Sequence, residues 1–155
     1  MRQGRRVAID VGTVRIGVAC SDEFGILASP VTTIARSANT DDSIKKLIAA
    51  IQPIEPIEIY VGLPVSLKGS QTSSTADAIH LARELAKQTE IPIRLMDERL
   101  TTVSSELALR SSGKSTKAGR QIVDQIAATI ILEQALQIEK NSKSVPGLTL
   151  EEIDD

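Results

Sequence analysis

Cysteine, histidine and aromatic side chains are nearly absent from this chain. Its 155 residues include one Cys, one His, one Tyr, one Phe and no Trp. The single cysteine, Cys20, excludes an intrachain disulfide and any multi-thiolate metal site. At the end of a β-like run it reads as an inert core thiol rather than a nucleophile. The single histidine, His80, stands between Ile79 and Leu81 in a helical stretch and reads as structural, which leaves histidine-based acid–base chemistry without support. With Phe24 and Tyr60 as the only rings, unpaired bases find almost no stacking partners. Any nucleic-acid contact must then run mainly through the backbone. No apolar run approaches the roughly 18 residues a membrane span needs. The basic start, Met1-Arg2-Gln3-Gly4-Arg5-Arg6, leads straight into a strand without an apolar leader region. A cytoplasmic protein without membrane association is the expectation.

What the chain does have is a hydrophobic fraction of 41% and a nearly balanced charge of −2. That supports one compact core, expected over residues 1–140, followed by a flexible acidic tail over 141–155. Glu151, Glu152, Asp154 and Asp155 crowd the last five positions, and without them the balance turns positive. Basic residues cluster at Arg2, Arg5 and Arg6 and again at Lys114, Lys117 and Arg120. Such clusters grip phosphates or form an ordinary solvated surface.

The order of elements is legible. Val7 to Val11 and Arg15 to Cys20 are apolar runs around a Gly-containing turn, the pattern of a tight antiparallel hairpin. Ile26 to Ile34 reads as a third strand, placed at an edge by Pro30. Asn39-Thr40-Asp41-Asp42 is capping chemistry for a helix over about Ser43 to Gln52, with Ile44, Leu47, Ile48 and Ile51 at helical spacing. Ile57 to Leu63 is a strand, about Thr75 to Gln88 a helix, and Ile91 to Met96 a fifth strand. Thr101 or Thr102 caps a helix to about Ser112, with Gly113 as its stop. A last helix, roughly Thr116 to Lys140, carries Ile122, Ile126, Ile130 and Ala127, Ile131, Gln134 on adjoining rows. The order β-β-β-α-β-α-β-α predicts an α/β fold, a mixed sheet with helices on both faces. Ribonuclease H-like nucleases and actin-like phosphotransferases share it, so fold alone does not assign a function.

Acidic residues narrow the choice. Asp10 closes the first strand, where a carboxylate is disfavoured and needs a compensating partner. Asp97 and Glu98 end the fifth strand. Asp124 lies four residues before Ala128 and three before Ala127, small residues that let a helix approach a sheet closely; a solvated position is the alternative. Three converging carboxylates would repel one another unless divalent cations neutralised them, and hard oxygen ligands suit Mg²⁺ or Mn²⁺. Two such ions about 3.5–4 Å apart activate water and stabilise the leaving oxygen in phosphodiester cleavage. Gly113-Lys114-Ser115 imitates the end of a P-loop, but Ala108 stands where its first glycine belongs, and a helix precedes it where a strand is required.

Four segments carry a family resemblance: Ile9-Asp10-Val11-Gly12 through Arg15 to Ala19 with Ser21-Asp22; Val61-Gly62-Leu63-Pro64 with Leu67 and Gly69; Asp97-Glu98-Arg99-Leu100-Thr101-Thr102; and Val123-Asp124 with Ala127-Ala128 and Ile131-Leu132. Together they resemble the YqgF/RuvX family of ribonuclease H-like proteins, pre-16S rRNA nucleases also described as Holliday-junction-resolvase-like, over roughly residues 5–138. The resemblance implies a metal-dependent nuclease in ribosomal RNA maturation, with Asp10, Glu98 and Asp124 as catalytic residues and ligands of Mg²⁺ or Mn²⁺, two ions being expected. Asp97 is the alternative to Glu98. Relatives often carry several basic residues before the final acid; here Ala118-Gly119 separates Lys117 from Arg120.

Substrate contacts are expected at Arg15, Arg99, Lys68, Lys117 and Arg120. For Arg15 a surface position, for Arg99 a strand-end ion pair, and for the Ser66, Lys68, Ser70 stretch a solvated loop are the plain alternatives. The expected partner is nucleic acid, pre-rRNA or branched DNA, bound by a monomer or a homodimer. An ATP-dependent phosphotransferase shares Asp-x-Gly-x-x-Arg but needs two such domains. A catalytically silent module in ribosome maturation or transcription is the third alternative.

Overall fold

The computed structural model describes residues 1–64, 71–98 and 117–153, the side chains of 117 and 118 excepted. Five strands form one sheet: β1 (Arg6–Val11), β2 (Arg15–Ser21), β3 (Ala28–Ala35), β4 (Glu58–Leu63) and β5 (Ile93–Asp97), in the order β3-β2-β1-β4-β5. β1 and β2 are antiparallel, as are β2 and β3, while β4 lies parallel to β1 and β5 parallel to β4. Three helices complete the described fold: α1 (Thr40–Ile51), α2 (Ser73–Ala86) and α3 (Lys117–Ser142). The predicted helix from Thr101 or Thr102 to Ser112, its stop at Gly113 and the Gly113-Lys114-Ser115 stretch lie outside the described residues.

Local chemistry accounts for these elements. Asn39 caps α1 by accepting from the Asp41 amide, and Thr72 and Thr75 form a reciprocal capping box at the start of α2. Pro30 sits in β3, which is an edge, next to an irregularity between Val18 and Ala19, where a missing amide hydrogen costs no ladder bond.

The pleat separates two cores. Val7, Ile9, Val11, Ile16, Val18, Ile59, Val61, Ile93 and Leu95 face α1 and α2, meeting Ile44, Leu47, Ala78, Leu81 and Leu85. Ala8, Ala19, Tyr60 and Met96 face α3, meeting Ala128, Ile131, Leu132, Ala135 and Leu136. The first face is branched and thick. The second carries Ala8, Ala19, Gly17 and Gly62 among its sheet residues, and α3 lies close to the sheet where these stand. Its buried stripe is Ala128, Ile131, Leu132, Ala135, Leu136 and Glu139, whereas Ile122 of the expected row is 49% exposed. Asp124 precedes Ala128 by one turn and therefore shares the sheet-facing row.

The chain after α3, expected to be a flexible tail, is anchored. The helix ends at Ser142, Lys143 takes a left-handed conformation (φ 57°), and Leu148 exchanges two backbone hydrogen bonds with Leu95 on the outer edge of β5. Arg94 donates to the carbonyls of Pro146 and Gly147 at 3.0 and 2.7 Å, and Leu150 and Ile153 pack on the core. Burying Leu150 and Ile153 and closing the β5 edge outweigh the polar composition that suggested a loose end. Asp154 and Asp155 are outside the described residues.

Candidate functional site

Asp10 is the penultimate residue of β1, on the α3 side of the pleat with Ala8. Both of its sheet neighbours are glycines. Gly17 faces it across the β1–β2 ladder, and Gly62 follows the Ile9–Val61 pair on β4. A Cβ at Gly17 would collide with the backbone carbonyl of Asp124, so α3 approaches β2 there as closely as bare backbone permits. A Cβ at Gly62 would run into the Glu98 carboxylate, with its Cδ at 2.9 Å. Glycine in a strand usually weakens it and marks a close approach. Here the two missing side chains leave room for the Asp124 backbone on one side of Asp10 and for the Glu98 carboxylate on the other.

Glu98 follows β5 and keeps the parity of Met96, which faces α3, while Asp97 falls on the opposite parity. The Glu98 carboxyl hydrogen-bonds Asp10. Burial, reinforced by the bond to Asp10 and by the charges of Asp10 and Asp97, pushes Glu98 up to about 9. Asp10 is raised as well, by burial and then by the charge of Asp124, against the lowering effect of the Glu98 bond. Burial thus disfavours the charged form of both carboxyls, and most strongly sets them against each other where they touch.

Asp124 stands apart from that pair through its ion pair with Arg15. The Arg15 Nε to Asp124 Oδ2 distance is 2.6 Å, and the side chains are 25% and 17% exposed. Among the described residues, no three His, Cys, Asp or Glu side chains close around a common point suited to a cation. The three acids thus occupy one rim of the sheet as a hydrogen-bonded pair and an arginine-held third. Arg120 is exposed one turn before Asp124 on α3. Arg99 and Lys68, and the side chain of Lys117, lie outside the described residues.

Sequence patterns did not single out Arg36. Its guanidinium forks onto Asp77 at 2.6 and 3.1 Å and donates to the Gly12 carbonyl at 2.8 Å. This ties the turn between β1 and β2 to the second turn of α2, and so steadies the hairpin that carries Asp10 and Arg15. No local signal marks such a clamp, but glycines inside strands at Gly17 and Gly62 were a readable sign of close approach.

The whole rim lies at the carboxyl ends of the parallel strands, where open α/β sheets place their ligands. The opposite end holds a groove of about 530 Å³ among Ile48, Ile51, Pro56, Leu85 and Ile91, which contains none of these acids.

A family model described as "RuvX: Holliday junction resolvase" matches residues 4–138. The chain belongs to the RuvX family. Among RuvX relatives, a Leifsonia xyli subsp. xyli protein named "Putative pre-16S rRNA nuclease" is 50% identical over 151 residues, 97% of either chain. A Streptomyces avermitilis protein of the same name is 47% identical over 148 residues, covering 95% of this chain and 94% of the relative. Among solved structures, Thermus thermophilus RuvC in complex with Holliday junction substrate superposes with a TM-score of 0.61 at 13% identity, over 92% of this RuvX chain and 98% of that one. At that identity the likeness speaks for the fold, a ribonuclease H-like mixed sheet, and the expected α/β class is the one observed.

Proposed function

We propose that this RuvX protein is a divalent-metal-dependent nuclease that hydrolyses phosphodiester bonds in the cytoplasm, at the 5′ end of pre-16S rRNA. The observation that carries it is the meeting of Asp10 and Glu98 with Asp124 held beside them, three acids from β1, the end of β5 and α3, at the carboxyl ends of the parallel strands. The names of the relatives at 50% and 47% identity point the same way.

Asp10, Glu98 and Asp124 would hold Mg²⁺ or Mn²⁺, as two ions. The donor set fits: it consists of carboxylate oxygens alone, without thiolate or imidazole. Like-charged groups forced together in a partly dry site are also where a dication gains most. Bound there, such ions supply the charge that activates water and stabilises the departing 3′-oxygen.

The chain's own residues set the rest. Arg15 and Arg120 border Asp124 and present guanidinium groups to phosphates, with Lys117, Arg99 and Lys68 as further contacts. Tyr60 is fully buried, its hydroxyl donating to Glu58 at 2.8 Å. Phe24 follows the far end of β2, away from Asp10. Neither ring offers a stacking platform at the site, so the grip is on the backbone.

The test is to incubate the purified protein with a 5′-extended 16S precursor and with a four-way DNA junction, in Mg²⁺, in Mn²⁺ and in chelator. Precursor cleavage that needs the ion and falls about 100-fold or more in Asp10→Asn is the expected result. Cleavage confined to the junction, by a species of dimer mass, would replace it with the resolvase reading. Retained metal binding without cleavage of either substrate would leave an interaction module.

A further inference from the structure

We propose that Arg15 is an internal counter-ion that gates the third acid: it holds Asp124 while the site is free of nucleic acid and moves to a backbone phosphate when a strand arrives, releasing Asp124 toward Asp10 and Glu98. The inference rests on the nuclease reading and adds to it the order in which substrate and metal bind.

Three observations carry it. First, the backbone at Asp124 is pinned, because it lies against Gly17 without room for a methyl group. Only rotation of the Asp124 side chain can change its partner, and Arg15 occupies one carboxylate oxygen at 2.6 Å. Arg15 and Gly17 are two apart on β2 and share its α3 face, so the arginine reaches Asp124 without any movement of the main chain.

Second, the contact is made through Nε alone. Both Nη atoms of Arg15 are without a partner among the described residues, and neither is buried. A guanidinium that satisfies a carboxylate fully presents its planar fork and makes two bonds, as Arg36 does to Asp77. Arg15 instead keeps its fork free on the side that solvent reaches, in the geometry suited to phosphate oxygens.

Third, the acids are divided by this ion pair. Asp10 bonds Glu98, Asp124 bonds Arg15, and among the described residues no three of these groups are assembled around one point. A resident arginine and a dication compete for the same carboxylate. A phosphate that draws Arg15 away removes the competitor, so metal and nucleic acid strengthen one another's binding by the same factor.

Mn²⁺ titrations of the full-length chain, followed by electron paramagnetic resonance of the free ion, test this without requiring cleavage. They are run with and without a short phosphorothioate-backbone RNA. Without RNA, Arg15→Gln is expected to bind Mn²⁺ about tenfold more tightly than the unaltered protein, and saturating RNA to tighten the unaltered protein by about the same factor. The variant gains little from RNA and binds it more weakly. Arg15→Lys falls between the two, and Asp124→Asn in the Arg15→Gln background removes the gain. Circular dichroism confirms that each variant is folded. Equal or weaker Mn²⁺ binding by Arg15→Gln overturns the gate. If Asp10→Asn abolishes Mn²⁺ binding in that case, the metal-dependent reading survives alone. If Asp10→Asn leaves Mn²⁺ binding unchanged, both fall.

Discussion

Gly17 and Gly62 flank Asp10 on either side, and each makes room for something different. At Gly17 the neighbour is the main-chain carbonyl of Asp124, which cannot step aside without shifting α3. At Gly62 the neighbours are the tips of two flexible side chains, the Glu98 carboxylate and the Ile131 Cδ1. Adding a methyl group should therefore have opposite signatures at the two positions. Gly17→Ala is expected to destabilise the fold by about 1–3 kcal/mol, the cost of overpacking against backbone. Gly62→Ala should change stability by less than about 1 kcal/mol. Yet it should lower cleavage by about 100-fold, because Glu98 is pushed off Asp10. Thermal denaturation alongside single-turnover cleavage separates the two outcomes, and a Gly62→Ala protein of full activity would remove Glu98 from the site.

Among the elements, α3 has two jobs at its two ends. Its beginning is fastened to β3, where the Thr33 hydroxyl donates to the Gln121 carbonyl at 2.8 Å and accepts from Gln125 at 3.1 Å. Its end is fastened to the first residues of the chain: Glu139 accepts from Arg2 at 2.6 Å and from the fully buried Arg6 at 2.9 Å. Burial alone would raise Glu139, but the Arg2 hydrogen bonds and the charges of both arginines outweigh it and hold the carboxyl at about 2. Its folded-state value thus lies below the ordinary 4.5, so the stabilisation is complete above that pH and fades as pH falls toward 2. The stability difference between the protein and Glu139→Gln should be widest at neutral pH and shrink on acidification through that window, as read from urea midpoints. A pH-independent offset would mean that Glu139 acts by packing alone. Glu139→Ala, which leaves the Arg6 charge buried without its carboxylate, is expected to cost about 3–5 kcal/mol.

At the scale of the whole molecule, the two faces of the sheet divide the labour. The face toward α1 and α2 is built of branched aliphatic side chains and supplies most of the apolar burial. The face toward α3 trades bulk for proximity and carries the acids. The segment beyond Ser142 completes the sheet by covering the outer edge of β5, with Leu148 paired to Leu95 and Arg94 donating to two carbonyls of the segment. Deleting 143–155 should lower the denaturation midpoint by about 1–3 kcal/mol of stability. It should also promote self-association through the opened edge, visible as a rise in mass with concentration by light scattering.

Much of this was legible in one dimension. The alternation of Val7, Ile9 and Val11 with Ala8 and Asp10 is enough to place a carboxylate on the small-residue face of a strand. Pro30 marks an edge, Asn39 marks a helix start, and Ala128 one turn after Asp124 points that acid at the sheet. These are near-neighbour rules of period and capping, so the residues concerned carry their own evidence. The pairing of Arg15 with Asp124, 109 positions apart, of Arg2 with Glu139, 137 apart, and of Arg36 with Asp77, 41 apart, has no such local trace. Each ion pair depends on which elements the sheet order sets side by side. The same holds for the bond between Glu98 and Asp10, which turns on the path of the chain after β5, and for the docked end of the chain, whose apolar residues are too few to declare a partner until β5 offers an open edge. The amino acids alone determined the five strands and the helices α1, α2 and α3, and nominated the acids. Only packing decided which charges they meet, because a long-range contact is a property of two surfaces and not of either segment.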